Sequence, residues 1–175
     1  MDRRTGTIRS LDGYSLADWG LAFTATAGAA AALTGLLFVA LSINLRQIIA
    51  IPALVDRAVE VLIVLSAALI LSTLLLMPRQ PIGAVGIEII AIAIAVSAVT
   101  ARIQLRTDRK ALGISALAFG SRIVGAQTGP VFLVIGAVSL LAQTGGGLYW
   151  VVPALLAMIV VSIIGAWVML VEILR

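Results

Sequence analysis

Residues 149–171 read YWVVPALLAMIVVSIIGAWVMLV, with no charged side chain among them. Wound as an α-helix, that stretch is about 34 Å long. A bilayer's hydrocarbon core is about 30 Å thick, so the stretch is long enough to cross it. Four further apolar runs precede it, at about 19–45, 53–77, 82–101 and 119–142, and almost every charge lies between the runs. Only helices and closed barrels satisfy their backbone in lipid. The run at 82–101 alternates Ala and Ile as a strand would, but it is continuous and about twice the length of a barrel strand. The sequence therefore predicts an all-α integral membrane bundle of five transmembrane helices. Residues 1–18 form an N-terminal extramembrane segment and helix cap, and 19–175 form the five-span domain. So small a bundle has few interior positions, which makes it homo-oligomeric by expectation.

The composition agrees. Hydrophobic residues make up 62% of the 175 and charged residues 11%, where a soluble domain is nearer half apolar and a quarter charged. Cys and His are both absent. That excludes disulfides, thiolate catalysis, Cys-ligated metals and the usual haem and zinc ligands, so no metal and no cofactor is expected. The net charge of +4 is confined to loops, where it orients the chain and meets lipid headgroups. No basic face interleaved with aromatics is present, so nucleic acid is not an expected partner.

Punctuation residues divide the runs. Asp12-Gly13 marks a turn, and Ser15 with Asp18 fits a capping box ahead of Trp19. The apolar stretch that follows is too long for a signal-peptide core, so it reads as a retained span. Pro52 suits the first turn of the second span, and the segment 78–81, PRQP, breaks the chain before the third. The basic segment 102–110 follows, with Arg102, Arg106 and Arg109 on one helical face if the third helix continues. The fourth run is interrupted by Arg122 and by 127–130, QTGP. It is either one kinked helix from about 114 to 142 or an interfacial helix followed by a short span. Residues 130–141 alone give only ~18 Å of helix, which favours the kinked or late-starting span. Gly145, Gly146 and Gly147 make a flexible turn, and no two-fold internal repeat is visible.

Odd spans place the termini on opposite faces. The connections after spans one and three, the charges flanking them and the C-terminus carry eight basic residues, against four on the other side. The richer side is cytoplasmic by the positive-inside rule. The expected setting is a bacterial inner membrane, with the N-terminus outside and the C-terminus inside. Trp19, Tyr149 and Trp150 then form the outer aromatic belt, with Trp167 toward the inner interface.

Ionised groups inside spans are costly and usually face protein or water. Glu88, about 10 Å into the third span from Pro81, is read either as a cation-attracting group or as a buried carboxyl bonded to a neighbouring helix. Glu60 is read either as an interfacial partner of Arg57, three residues away, or as part of a charged vestibule. Thr34, Ser42 and Asn44 complete the candidate ion path. Arg102, Arg106, Arg109, Lys110 and Arg122 form a lipid-headgroup set, with Arg122 snorkelling outward on its long side chain. Thr24, Gly28, Ala31, Ala32 and Gly35 make a small-residue stripe for close helix packing, within the chain or between subunits.

No phosphate-binding glycine loop, GxSxG, HExxH or paired-carboxylate motif is present, so an enzyme is not expected. The stretch GLLFVALSINLRQI at 35–48, followed by P-x-L-x-x-R-A at 52–58, resembles small bacterial multi-span membrane proteins. That resemblance implies no residue roles. Two functions follow from the residues. One is a small oligomeric channel or carrier for cations, with Glu88 and Glu60 along the path. The other is a non-transporting membrane subunit that scaffolds a membrane-protein partner or binds anionic lipid.

Overall fold

In the computed structural model, described over residues 13–106 and 116–173, helices account for nearly all of the described residues and no strand occurs among them. A 3-10 turn, Leu16–Trp19, leads into α1 (Gly20–Ile43). A short helix, α2 (Leu45–Ala50), follows, and then α3 (Pro52–Leu74), α4 (Ile82–Arg106), α5 (Ala116–Ala142) and α6 (Leu148–Ile173). Four segments are long and apolar enough to cross a membrane: Leu16–Ile43, Ile82–Arg106, Phe119–Ala142 and Leu148–Glu172. The remaining long helix, α3, carries Asp56, Arg57 and Glu60 in its first turns.

The local rules explain most boundaries. Pro52 sits in the first turn of α3, where its missing N–H costs nothing. Ser15 precedes the 3-10 turn but makes no side-chain cap, so the expected capping box does not form. The stretch between the first two runs, 46–52, is mostly helical, as α2, whose first turn closes when Gln47 and Ile48 N–H donate to the Asn44 carbonyl at 3.0 and 3.1 Å. α5 runs unbroken through Pro130, so there is one long fourth helix and no separate interfacial one among the described residues. α4 continues past 101 to Arg106.

The five long helices alternate in direction. α3, α4, α5 and α6 form a ring in which each packs on the next and α6 returns to α3, while α1 lies outside against α3 and α6. α1 buries one narrow stripe, Phe23, Thr26, Ala30 and Leu37. α3 buries two adjacent stripes, Leu54-Ala58-Val61-Leu65-Ala68-Ser72 and Glu60-Val64-Ala67-Leu71, as a helix with neighbours on several sides must. The main core joins Phe23, Leu71, Ile89, Leu133, Leu155 and Met158. A second cluster joins Leu37, Leu54, Val61, Leu65 and Met169 toward the other end.

α5 and α6 pack closely at two glycines. A Cβ on Gly129 would stand 2.4 Å from Met158 Cγ, and one on Gly136 2.8 Å from Val151 Cγ2. Small residues bring helix backbones together in this way. The stripe predicted for that task does not: Thr24, Gly28, Ala31, Ala32 and Gly35 are all exposed, and a Cβ on Gly28 or Gly35 would meet nothing within 4 Å. Packing within the chain is thus not their purpose, because α1 turns that face away from the ring.

The first end of the bundle is stapled by its turns. Gly145, Gly146 and Gly147 all take positive φ, which glycine adopts at little cost. Leu148 N–H donates to the Gly13 carbonyl at 2.8 Å, and Gly146 N–H to the Tyr14 hydroxyl at 2.9 Å. Trp19 and Tyr149 meet edge to face at 4.7 Å. The start of α1 and the α5–α6 turn therefore share one end. Glu172, near the close of α6, lies at the other.

Candidate functional site

At the Glu172 end, α3, α5 and α6 diverge and leave a half-open cleft of about 730 Å³. Its walls are largely apolar, with Val61, Val64, Phe119, Ile164 and Val168 among them, yet four charged side chains also line it. Arg57 Nη1 donates to Glu172 Oε1 at 3.1 Å, which joins α3 to α6. Deeper in, Arg122 Nε donates to Glu60 Oε2 at 3.1 Å and Nη2 reaches the same oxygen, joining α5 to α3. Gln104 of α4 donates from Nε2 to the other Glu60 oxygen. Three helices thus converge on a single carboxylate.

The position of each group follows from helical phase. Glu60 heads the second buried stripe of α3, in register with Val64, Ala67 and Leu71. Gln104 ends the buried face of α4, in register with Ile89, Ala93, Val96 and Thr100. Arg122 stands near the start of α5 and folds inward. The Glu60 and Arg122 side chains are only 9% and 14% exposed. Bringing a lone ion into such a place is expensive, and the pairing offsets that cost only because hydrogen bonds accompany it. Two buried polar atoms here have no partner, Gln104 Oε1 and Ser162 Oγ. Ser162 belongs to the cleft wall.

These contacts correct two expectations. Glu60 does not pair with Arg57, which reaches Glu172 instead. Arg122 does not snorkel to headgroups, since its guanidinium is held by the Glu60 carboxylate. Of the remaining headgroup set, Arg102 and Arg106 are exposed on α4, while Arg109 and Lys110 lie outside the described residues.

The expected ion path is not brought together. Glu88 is half-buried near the first end, where Gln80 Nε2 donates to its two oxygens at 3.3 and 3.2 Å. Along α4 it stands sixteen residues from Gln104, or ~24 Å, so Glu88 and Glu60 occupy opposite ends. Thr34, Ser42 and Asn44 each bond a carbonyl four residues back, at 2.7, 2.8 and 2.9 Å. All three lie on or at the end of the peripheral α1, outside the ring that holds both carboxylates.

Between the two ends, α4 and α5 share a polar step. Ser97 Oγ donates to Gln127 Oε1 at 2.6 Å, and Gln127 Nε2 donates to Thr100 Oγ1 at 3.2 Å. α1 and α3 share another, Thr26 with Ser72 at 3.1 Å. The sequence reading overlooked Gln104, although a signal for it exists. It falls in phase with the apolar face of α4, and an inward amide at that place needs a partner.

Comparison with known protein families, with characterised proteins and with solved structures found no match.

Proposed function

We propose that the protein is a small membrane carrier that acts as a homo-oligomer and holds its cargo in the cleft at the Glu172 end, with Glu60 receiving the cargo's positive group. The observation that supports this reading is the buried Glu60–Arg122 pair on the wall of a 730 Å³ cleft. That volume falls in the usual range of small-molecule sites, ~300–1,000 Å³. A charged pair at such depth is a costly feature and marks solute pathways in membrane proteins. A carrier suits the cleft better than an open channel, because Leu71, Ile89, Leu133 and Leu155 fill the bundle beyond it.

In this reading all five long helices span the membrane. α3 lies against α1, α4 and α6, so its axis follows theirs, and its charged first turns sit at the cleft end. Arg46, Arg102 and Arg106 gather at that same end, which makes it cytoplasmic under the positive-inside rule. The N-terminus then faces outward and the C-terminus inward. The exposed small-residue stripe of α1 favours contact with a second copy.

The test is uptake into liposomes containing the full-length protein, with potassium, which bears one charge, and phosphoethanolamine, which bears both, as probes. Saturable uptake above empty vesicles that Glu60→Gln lowers, while Glu88→Gln leaves it largely intact, supports the cleft as the working site. Uptake equal to empty vesicles for both probes overturns the carrier and leaves the scaffolding or lipid-binding subunit.

A further inference from the structure

We infer that the cleft takes a zwitterionic phospholipid, with the ammonium on the carboxylates, the phosphate on the guanidiniums and the acyl ester on the Ser162 hydroxyl. This rests on reading the cleft as the working site and names what fills it.

Charge matching carries the first step. The cleft presents Arg57 and Arg122 with Glu60 and Glu172, so its formal charge is zero. A simple cation that takes Glu60 strands Arg122, and a simple anion that takes Arg122 strands Glu60. Either way one ion stays in a place where water is scarce, which is strongly unfavourable. A ligand bearing both charges replaces both partners together. Ammonium and phosphate a few atoms apart do this, and Arg is well shaped to hold phosphate by two parallel bonds.

The second step comes from Ser162. Its hydroxyl is buried, the residue being 2% exposed, and it has no hydrogen-bond partner. Buried polar groups without partners are rare. On α6 it stands ten residues from Glu172, or ~15 Å along the axis, so it lies deeper than the charges at the mouth. A headgroup at the ion pairs places its ester linkage farther in, where a hydroxyl donor is waiting for a carbonyl. Val64 and Ala126 line the cleft as apolar wall for the start of the acyl chain. Ile164 and Val168 continue that apolar wall between Ser162 and Glu172, so the cleft offers together the charged, hydrogen-bonding and apolar groups that a phospholipid's headgroup, ester and chain require.

The test is native mass spectrometry of the full chain in detergent. It is offered equal amounts of phosphatidylethanolamine, phosphatidylglycerol and diacylglycerol with matched acyl chains. Preferential retention of phosphatidylethanolamine is expected. Gly125→Leu fills the cleft, and the wall tolerates a Cβ there because its nearest neighbours would be Val161 methyls at 3.7 and 3.8 Å. That variant should lower the apparent affinity by about tenfold at an unchanged melting temperature. Ser162→Ala, which removes no bond within the chain, should lower it several-fold less. Equal retention of all three lipids overturns the proposal, as does full binding by a folded Gly125→Leu protein. Selective retention without liposome uptake upholds the ligand and removes the carrier. Uptake without selective retention does the reverse.

Discussion

Replacing Arg122 by Leu removes the cation that neutralises Glu60, and the structure sets the size of the effect. Both side chains are nearly shut off from water, at 9% and 14% exposed, so solvent screening relieves little of the loss. Removing one partner of a buried pair typically costs about 3–5 kcal/mol. One feature brings Arg122→Leu to the lower limit: Gln104 still donates to the carboxylate, and one such bond is worth about 1 kcal/mol. The expected loss is about 3 kcal/mol. Glu60→Leu should cost less, because the freed guanidinium has a long stem and can reach toward the rim. The double replacement with Leu should fall within about 1 kcal/mol of the native protein, as exchanging a buried ion pair for apolar groups often is near neutral. The singles then sum to more than about 3 kcal/mol while the double stays within about 1, so the cycle shows a coupling of at least about 2 kcal/mol. The assay is reversible unfolding in mixed micelles, by titration with denaturing detergent and far-ultraviolet circular dichroism. Single variants that each cost under about 0.5 kcal/mol, and add in the double, would refute the buried pair.

Thr26→Val should cost about 0.6 kcal/mol, the usual worth of an interhelical hydrogen bond in a membrane protein, because it breaks the 3.1 Å contact with Ser72. Thr34→Val should be near neutral in the same unfolding assay, since that hydroxyl bonds only its own helix at 2.7 Å. Gly136→Ala should cost about 1–3 kcal/mol as overpacking. Its Cβ would stand 2.8 Å from Val151 Cγ2 and 3.3 Å from the Gly147 carbonyl oxygen, so side chain and backbone must both shift; thermal melting followed by circular dichroism checks it. Gly28→Leu and Gly35→Leu should leave the fold of a single chain intact, as nothing lies within 4 Å of either Cβ. They should convert the proposed homo-oligomer to monomer on size-exclusion chromatography with light scattering, and an unchanged mass removes the α1 stripe as a subunit interface.

The positions of the helices are legible in the sequence because a bilayer imposes a length, and runs such as 149–171 have that length with no charge inside it. Which face of each helix turns inward is much less legible. In water, burial sorts apolar from polar side chains and leaves a periodic trace. In lipid that sorting is weak, because the surroundings are as apolar as the core. α1 accordingly exposes Leu21, Leu36 and Ile43 while it buries Thr26. A stripe of small residues then points to close packing without saying against what. Here the close approach belongs to Gly129 and Gly136 of α5, and the α1 stripe faces away.

The charged site misled the sequence reading for a related reason. Spacing along one helix ties Arg57 to Glu60, and both do line one cleft, yet each finds its partner on another helix. What identifies the inward side is a polar residue in phase with known core positions, because oil gives it no alternative partner. Gln104 keeps step with Ile89, Ala93, Val96 and Thr100, and its amide reaches Glu60. Glu60 keeps step with Val64, Ala67 and Leu71. Two inward polar groups on neighbouring helices, α3 and α4, have to meet, and their meeting leaves a carboxylate in need of a cation. Arg122 is the basic residue within α5, the neighbour of α4 in the ring. The pair therefore follows from phase and from the cost of a bare ion in oil, once the ring order of the helices is known.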